Sequence, residues 1–293
     1  MASSSTPETS SDETPTNPVG AIPVTPDKPN TARIYDFFLG GKDHYEIDRQ
    51  AAEKIATLLP DVPEAVKANR AFLQRAVRVM AEAGITQYLD IGSGLPTARN
   101  LHEVAREVNP EARVVYVDHD PNVIAHGHAL LATEEGVAMI TADLRDPDTI
   151  LNAPQTQTLI DFTKPVGLIM IAVLHFIPDP VDKGRSAGKP LTHLLDHYVK
   201  ALPPGSHLAL THACDDALPT TKSEAAQNVY KNATATIHPR SATEITTLFT
   251  GLTLLPPTPG TAAPRPVNVS TWRPTTETQP TTAQFLGGVA TKP

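Results

Sequence analysis

The 293-residue chain carries 24 Lys and Arg residues against 32 Asp and Glu, a formal net charge of −8 at neutral pH. This balance argues against a general nucleic-acid-binding protein, because affinity for phosphates comes from clustered basic side chains. The single cysteine, Cys214, excludes a disulfide framework and a thiolate metal site, and it fits a reducing cytoplasm. The first residues lack the basic start and apolar stretch of a secretory signal, so we expect none, and the longest apolar run, residues 166–174, is too short to span a membrane. We therefore expect a cytoplasmic protein.

The first 29 residues are rich in Ser, Thr, Pro and acids, and they contain few bulky apolar side chains. Such a segment cannot offset its ordering entropy by burial, so we predict a disordered tail over residues 1–29. Proline also recurs over residues 255–280 without a helical period, which predicts a long irregular segment there.

Helical and strand patterns alternate through the rest of the chain. Apolar positions at helical spacing predict helices over residues 31–39, 51–59 and 64–83, and a capping box that begins at Ser241 predicts another. Short β-rich runs predict strands over residues 87–91, 113–118, 137–141, 166–174 and 207–211, with closing strands over 252–255 and 285–291. Because apolar strands alternate with helices, we predict an α/β fold with a doubly wound parallel sheet.

A glycine-rich turn follows the first predicted strand, from Asp90 through Gly92, Ser93 and Gly94 to Thr97. Glycines at such a turn let the backbone bend sharply and approach a ligand closely. A dinucleotide fingerprint would have a third glycine in place of Thr97, and its pyrophosphate would be repelled by Asp90. An acid at Asp90 could instead accept hydrogen bonds from the ammonium group of an amino acid. Taken alone, the motif is also compatible with an ordinary tight turn.

Acids also follow the next two predicted strands, at Asp118 and Asp143. An acid that ends the second strand of a doubly wound fold, ~20 residues past the glycines, binds ribose hydroxyls. Asp118 could otherwise cap a helix, although Asp120 before Pro121 suits that role better. Asp143 could bond the exocyclic amine of adenine, or it could be a turn acid. Acids at three successive strand ends fit a nucleoside with an amino-acid tail, such as S-adenosylmethionine.

At this point the sequence resembles class I S-adenosylmethionine-dependent methyltransferases. More narrowly, it is similar to a family of actinobacterial S-adenosyl methyltransferases long described only as a domain of unknown function. That family also reads Gly-Leu-Pro-Thr at the glycine turn, so the missing third glycine agrees with the resemblance. The likeness runs from about Pro29 to the C-terminus and is carried by residues 29–43, 69–73, 89–97, 173–179, 272–274 and 287–290.

The resemblance implies a Rossmann-like core over residues 86–293 and a helical cap or lid over residues 30–85. It implies S-adenosylmethionine as cofactor and S-adenosylhomocysteine as product, but it says little about the acceptor. Carried over by motif, the residues that face the methionine part of the cofactor are Asp90, Gly92, Ser93 and Gly94. The residues expected at the ribose and adenine are Asp118, His119, Asp143 and Leu144, and Ala172 is a further expected cofactor contact.

His175 lies at the exit of the fourth predicted strand, which borders the transferable methyl group in such folds. An ordinary histidine pKa near ~6.5 suits a general base, although the side chain could also only pack or bond the backbone. Proximity and alignment can supply ~7–11 kcal/mol of the barrier, so a base is optional. Ile34, Phe37 and Phe38 are expected to pack on the sheet. The candidate acceptor or lid residues are Tyr35, Gly41, Lys42, Tyr45, Arg70, His175 and Phe176.

We predict an enzyme that transfers the methyl group of S-adenosylmethionine by in-line displacement to an unidentified, small-molecule acceptor. One alternative is a non-catalytic module that binds S-adenosylmethionine or S-adenosylhomocysteine, and another is an NAD-dependent oxidoreductase on the same fold. Short His and Asp clusters, such as the one from His193 to His197, lack a third ligand, so we expect no metal site. We expect no membrane and no nucleic-acid partner, and the choice between monomer and homodimer stays open.

Overall fold

The computed structural model describes residues 26–97, 99–130, 134–178, 190–261, 265–275 and 280–293. Most of the predicted tail therefore lies outside the described residues, as does Asp179 in the exit of the fourth strand. Ahead of the sheet lie the helices α1 (Thr31–Leu39), α2 (Glu46–Leu58) and α3 (Val62–Glu82). Pro63 sits in the first turn of α3, where a missing N–H has no helical partner to lose.

The described strands form one sheet. They are β1 (Gln87–Ile91), β2 (Arg113–Asp118), β3 (Val137–Thr141), β4 (Gly167–Met170), β5 (His207–Cys214), β6 (Thr253–Leu254), β7 (Val267–Asn268) and β8 (Gln284–Thr291). Their order across the sheet is β3-β2-β1-β4-β5-β8-β6, and β7 also pairs with β8. β1 to β5 are parallel, whereas β8 is antiparallel to β5. The strand order reverses between β1 and β4, which opens a crevice at their carboxyl ends.

Helices cover both faces of this sheet. They are α4 (Leu101–Arg106), α5 (Pro121–Leu130), α6 (Pro147–Leu151), α7 (Pro154–Leu159), α8 (Leu191–Ala201), α9 (Thr220–Tyr230) and α10 (Ala242–Thr247). Leu89 and Ile91 of β1 are buried in one apolar layer together with Leu195 of α8. Tyr88 belongs to the opposite layer with Met80 of α3. The predicted doubly wound α/β fold is confirmed.

The predicted bounds of the first three strands are confirmed, but the fourth strand is shorter than predicted. β4 ends at Met170 instead of residue 174, because Ala172 has a positive φ of 53° and Leu174–Phe176 forms a single 3-10 turn. The apolar run 166–174 continues past the strand because Leu174, at its end, is buried in the core from within the 3-10 turn. The irregular segment predicted over residues 255–280 contains β7, which forms because β8 offers it hydrogen-bond partners.

The first two helices are joined by the buried carboxylate of Asp48. It accepts hydrogen bonds from Arg33 Nε at 2.6 Å and from the amides of Asn30 and Tyr45, both at 2.8 Å. The sequence analysis expected Ile34, Phe37 and Phe38 to pack on the sheet, and this expectation was wrong. They form an apolar cluster with residues of α2 and α3, because the amphipathic faces of three short helices bury one another.

α3 fixes these helices to the rest of the molecule. Arg75 donates hydrogen bonds from Nε to the carbonyl of Trp272 at 2.9 Å and from Nη2 to that of Val269 at 2.7 Å. The rings of Phe72 and Trp272 meet edge to face at 5.1 Å. Within the described ranges, every helix is too short or too polar to cross a lipid bilayer.

Candidate active site

The glycine turn after β1 is held against the end of β2 by its own backbone. Gly92 and Gly94 have positive φ values of 74° and 66°, which favour glycine. The Gly92 amide donates to the carbonyl of Val117 at 2.8 Å, and the Gly94 amide donates to Asp118 Oδ2 at 3.0 Å. The turn therefore places the first two predicted site acids, Asp90 and Asp118, at adjacent strand ends.

The same turn touches the exit of β4. A Cβ atom at Gly92 would overlap the side chain of Val173, so only glycine fits this close approach. Ala172 is oriented by its amide, which donates to Thr211 Oγ1 at 2.9 Å. The exits of β1 and β4 consequently form one continuous wall at the crevice.

Asp118 holds the loop that follows β2. Its Oδ1 accepts hydrogen bonds from the amides of His119 and Asp120 at 2.8 Å and 3.0 Å. Burial raises the pKa of Asp118, and these backbone hydrogen bonds oppose that rise. Asp120 accepts the amide of Asn122 at 2.8 Å, which caps α5 as the sequence analysis predicted. Asp118 is thus not needed as the helix cap.

Asp90 is the most strongly perturbed carboxyl group at the crevice. Burial raises its pKa to about 7, the guanidinium of Arg70 lowers it, and the carboxylate of Asp118 raises it further. The carboxylate of Asp90 accepts no hydrogen bond from the described residues. A buried carboxylate without such bonds is suited to a cationic ligand group.

Three buried polar atoms at the crevice have no hydrogen-bond partner among the described residues. They are Arg70 Nε, Ser93 Oγ and Thr97 Oγ1, and all three residues line the same cavity. Buried polar groups in proteins are nearly always paired, so this set indicates that a bound ligand or ordered water completes these hydrogen bonds. Arg70 beside Asp90 fits the carboxylate and ammonium groups of an amino-acid tail.

The cavity extends from the strand ends to the helices ahead of the sheet and to α9. Twelve of the sixteen predicted site residues line it. They are Tyr35, Arg70, Asp90, Gly92, Ser93, Gly94, Asp118, His119, Leu144, Ala172, His175 and Phe176.

The other four predicted site residues do not line this cavity. Gly41 and Lys42 border a second, more open pocket beside α4. Tyr45 is 38% exposed, and its ring lies 5.1 Å below the guanidinium of Arg33. Asp143 is paired with Arg145, whose Nε donates to Oδ1 at 2.9 Å and lowers the pKa of Asp143.

His175 lines the cavity and is buried. Its Nδ1 accepts the amide of Ala213 at 3.4 Å, which assigns the ring hydrogen to Nε2. Burial holds the pKa of His175 well below the ordinary value, and the positive charge of Arg240 acts in the same direction. The ring is therefore neutral at physiological pH and offers an N–H donor.

Sequence analysis missed the far side of the cavity. Tyr230 at the end of α9, Gln227 one turn earlier and Phe285 at the start of β8 all line it. None of them belongs to a local motif, so nothing in their immediate sequence marks them. Residues 287–290 are among those that carry the family resemblance, but the sequence did not single out the nearby Phe285.

The fold and the site are those of a Rossmann-like class I methyltransferase. The features that define this class are the strand order, the glycine turn, the acid after β2 and the cavity at the strand ends. The chain belongs to the S-adenosyl methyltransferase family, whose model matches residues 21–293. S-adenosylmethionine is accordingly its cofactor, and the resemblance stated from the sequence is confirmed. Family and fold do not support an NAD-dependent oxidoreductase or a non-catalytic module.

Two solved structures extend this result. A candidate methyltransferase from Thermobifida fusca is 38% identical over 90% of this chain and 95% of its own, with a TM-score of 0.79. A DUF574 family protein from Streptomyces avermitilis is 36% identical over 91% of this chain and 98% of its own, with a TM-score of 0.80. No curated protein matches the chain.

Proposed function

We propose that this protein transfers the methyl group of S-adenosylmethionine to a small-molecule acceptor bound in the same cavity. The observation that carries the proposal is the buried set of unpartnered polar atoms on Arg70, Ser93 and Thr97, beside the carboxyl group of Asp90. The cavity continues beyond these residues to α9 and β8, which leaves room for a second ligand next to the first.

In this proposal, Asp90 accepts the ammonium group of the methionine part and Arg70 donates to its carboxylate. Asp118 accepts from the ribose hydroxyls through the lone pairs that the loop amides leave free. Leu144 and Ala142 offer an apolar surface to the adenine. The four predicted residues outside the cavity do not contact the cofactor in this proposal and affect its binding only through their neighbours. They are Asp143, Gly41, Lys42 and Tyr45.

Bound S-adenosylmethionine supplies an electrophilic methyl group on a sulfonium. The protein then has to align an acceptor atom opposite the sulfur and exclude water, which can lower the barrier by ~7–11 kcal/mol. The neutral ring of His175 orients an acceptor by donating from Nε2. With its low pKa and its hydrogen on Nε2, His175 is a poor general base.

A radiochemical transfer assay tests the proposal. Purified protein is incubated with methyl-tritiated S-adenosylmethionine and the low-molecular-mass fraction of extract from its native host. We expect S-adenosylhomocysteine to form and the label to enter extractable small molecules. An Asp118→Ala variant serves as the matched control. Label found only in protein or RNA when whole extract is supplied would contradict a small-molecule acceptor, and absence of S-adenosylhomocysteine would contradict transfer.

A further inference from the structure

One part of the cavity is lined by apolar side chains from α1, α2, α3, α9 and β8. We call it the apolar lobe and define it by the lining residues Leu39, Ile55, Val66, Tyr230 and Phe285. Tyr230 and Phe285 pack against the apolar cluster formed by α1, α2 and α3. The lobe is thus enclosed between the helices ahead of the sheet on one side and α9 with the start of β8 on the other.

An aromatic wall connects the apolar lobe to the glycine turn. Val173 packs against Gly92, and His175 follows two residues later. The ring of His175 lies 4.4 Å from that of Phe176 and 5.9 Å from that of Phe285, measured between centroids. Phe176 in turn lies 6.4 Å from Tyr230. Rings at several inclinations along one wall suit a flat apolar ligand.

The carboxylates that line the cavity belong to the proposed cofactor site or accept hydrogen bonds from within the chain. Among the described lining residues, Asp90 and Asp118 belong to the proposed cofactor site. The remaining three accept hydrogen bonds from within the chain: Asp36 from the Asp43 amide and His44, Asp120 from Asn30 and Asn122, and Asp215 from Ser223 Oγ at 2.7 Å. None of these five carboxylates belongs to the apolar lobe as defined, which disfavours a cationic amine there.

The polar group that the aromatic wall presents is a hydrogen-bond donor near one guanidinium. His175 is faced by His212 and Arg240, and by His238, whose amide donates to the His175 carbonyl at 2.7 Å. The guanidinium of Arg240 donates to His212 Nε2 at 2.7 Å, so the ring of His212 is neutral. With its Nδ1 accepting the Ala213 amide, His175 carries its ring hydrogen on Nε2, and the nearby charge of Arg240 favours an acceptor oxygen with negative charge.

We infer that the apolar lobe recognises a flat apolar molecule with an ionisable ring hydroxyl, a phenol or an enol, whose oxygen accepts from His175 Nε2. The inference rests on the proposed function and names its substrate class. The hydroxyl proton leaves to solvent, the oxygen forms a bond to the methyl carbon, and the carbon–sulfur bond breaks with its electron pair going to sulfur. A phenol ionises near pH ~10, as tyrosine does, so a donor that stabilises the phenolate replaces a base.

A matched set of naphthalenes tests the chemistry of the apolar lobe. Calorimetry of the S-adenosylhomocysteine complex compares 2-naphthol with 2-naphthalenemethanol and 2-(aminomethyl)naphthalene, which share one ring system. We expect 2-naphthol to bind about tenfold more tightly than the other two. Equal or tighter binding of the amine or the alcohol would overturn the inference, as would no binding of 2-naphthol.

The same compounds separate this inference from the proposed function. With S-adenosylmethionine present, we expect 2-methoxynaphthalene and S-adenosylhomocysteine in equal amounts. If 2-naphthol binds selectively but no S-adenosylhomocysteine forms, the recognition stands and the transferase proposal fails. If the amine is methylated in place of the phenol, the transferase proposal stands and the inference fails.

Two variants test His175 as the donor. His175→Leu removes the N–H, whereas His175→Gln places an amide N–H at a comparable distance from the backbone. We expect the leucine variant to bind 2-naphthol about tenfold more weakly and the glutamine variant to stay within about threefold of the parent. Equal losses in both variants, or no loss in the leucine variant, would overturn the assignment. The affinity for S-adenosylhomocysteine reports whether each variant has kept its fold.

Discussion

Asp90 shows how a single residue at this site works against the stability of the empty protein. Its carboxyl group is buried at the end of β1, 6% exposed, and burial raises its pKa to about 7. At higher pH the folded protein must hold a buried charge, which Arg70 only partly offsets. Such a group is tolerated where a ligand supplies the missing partner.

We predict that Asp90→Asn stabilises the ligand-free protein at alkaline pH. The pKa is about 7 in the folded state against 3.8 for an ordinary aspartate, so folding takes up a proton between these values and parent stability falls as pH rises through them. The asparagine variant lacks this fall. Urea unfolding at pH 8 should show a gain of ~2–4 kcal/mol that vanishes near pH 4. A gain that is the same at both pH values would contradict this explanation.

Asp118 serves both the loop and the proposed ribose site. We predict that Asp118→Ala weakens S-adenosylmethionine binding by ~1.5–3 kcal/mol, or about ten- to a hundredfold, because charged hydrogen bonds to the ligand are lost. Asp143→Ala is the matched control, since Arg145 occupies its carboxylate and Asp143 does not line the cavity. Calorimetric titration measures both variants. A larger loss of affinity in the Asp143 variant would contradict this assignment and would place Asp143, instead of Asp118, at the cofactor.

At the scale of elements, the site depends on how closely the exits of β1 and β4 approach. The backbone of Gly92 lies directly against the side chain of Val173 at the point where the strand order reverses. The early end of β4, with its positive φ at Ala172, turns the chain so that His175 faces the cavity instead of continuing the strand.

We predict that Gly92→Ala destabilises the protein more than Gly251→Ala does. Both glycines have positive φ, 74° and 81°, so each alanine adds ~1–2 kcal/mol of backbone strain. Space around Gly251 is open, whereas a Cβ at Gly92 would overlap Val173 and add a further ~1–3 kcal/mol. Urea denaturation of the two variants measures the difference. Equal losses would show that Val173 moves aside freely.

For the whole molecule, the cavity lies where three parts of the chain meet. The helices ahead of the sheet, the strand ends and the start of β8 each contribute lining residues. Arg75 and Phe72 of α3 bind the segment around Trp272, so the first part is firmly joined to the last. The helices within the predicted cap, residues 30–85, thus contribute part of the cavity wall.

We predict that the full chain unfolds in one calorimetric transition whose midpoint rises with S-adenosylhomocysteine. A ligand at one hundred times its Kd adds ~2.7 kcal/mol to the stability of the state that binds it. Because all three parts line the cavity, the whole transition should shift. Two transitions, with only one moved by the ligand, would show that the cap and the core unfold separately.

The sequence alone determined the parallel sheet and the cofactor class. Strands β1, β2 and β3 were predictable to the residue because each is a short apolar run bounded by polar residues, and local pattern encodes such runs. Asp90, Gly92, Gly94 and Asp118 were recognisable because a glycine turn and two strand-end acids are close in sequence. The exit of β4 was misjudged because an apolar residue can be buried equally well in a strand or in a turn.

Only the tertiary structure decided what surrounds these motifs. Tyr230 and Phe285 reach the cavity from α9 and β8, far along the chain from Tyr35 and Arg70, and no local signal links such positions. The pairing of Asp143 with Arg145 and the exposure of Tyr45 also follow from side-chain packing, which a motif does not record. Motifs near in sequence encode the cofactor site, whereas distant segments brought together by folding build the cavity beside it.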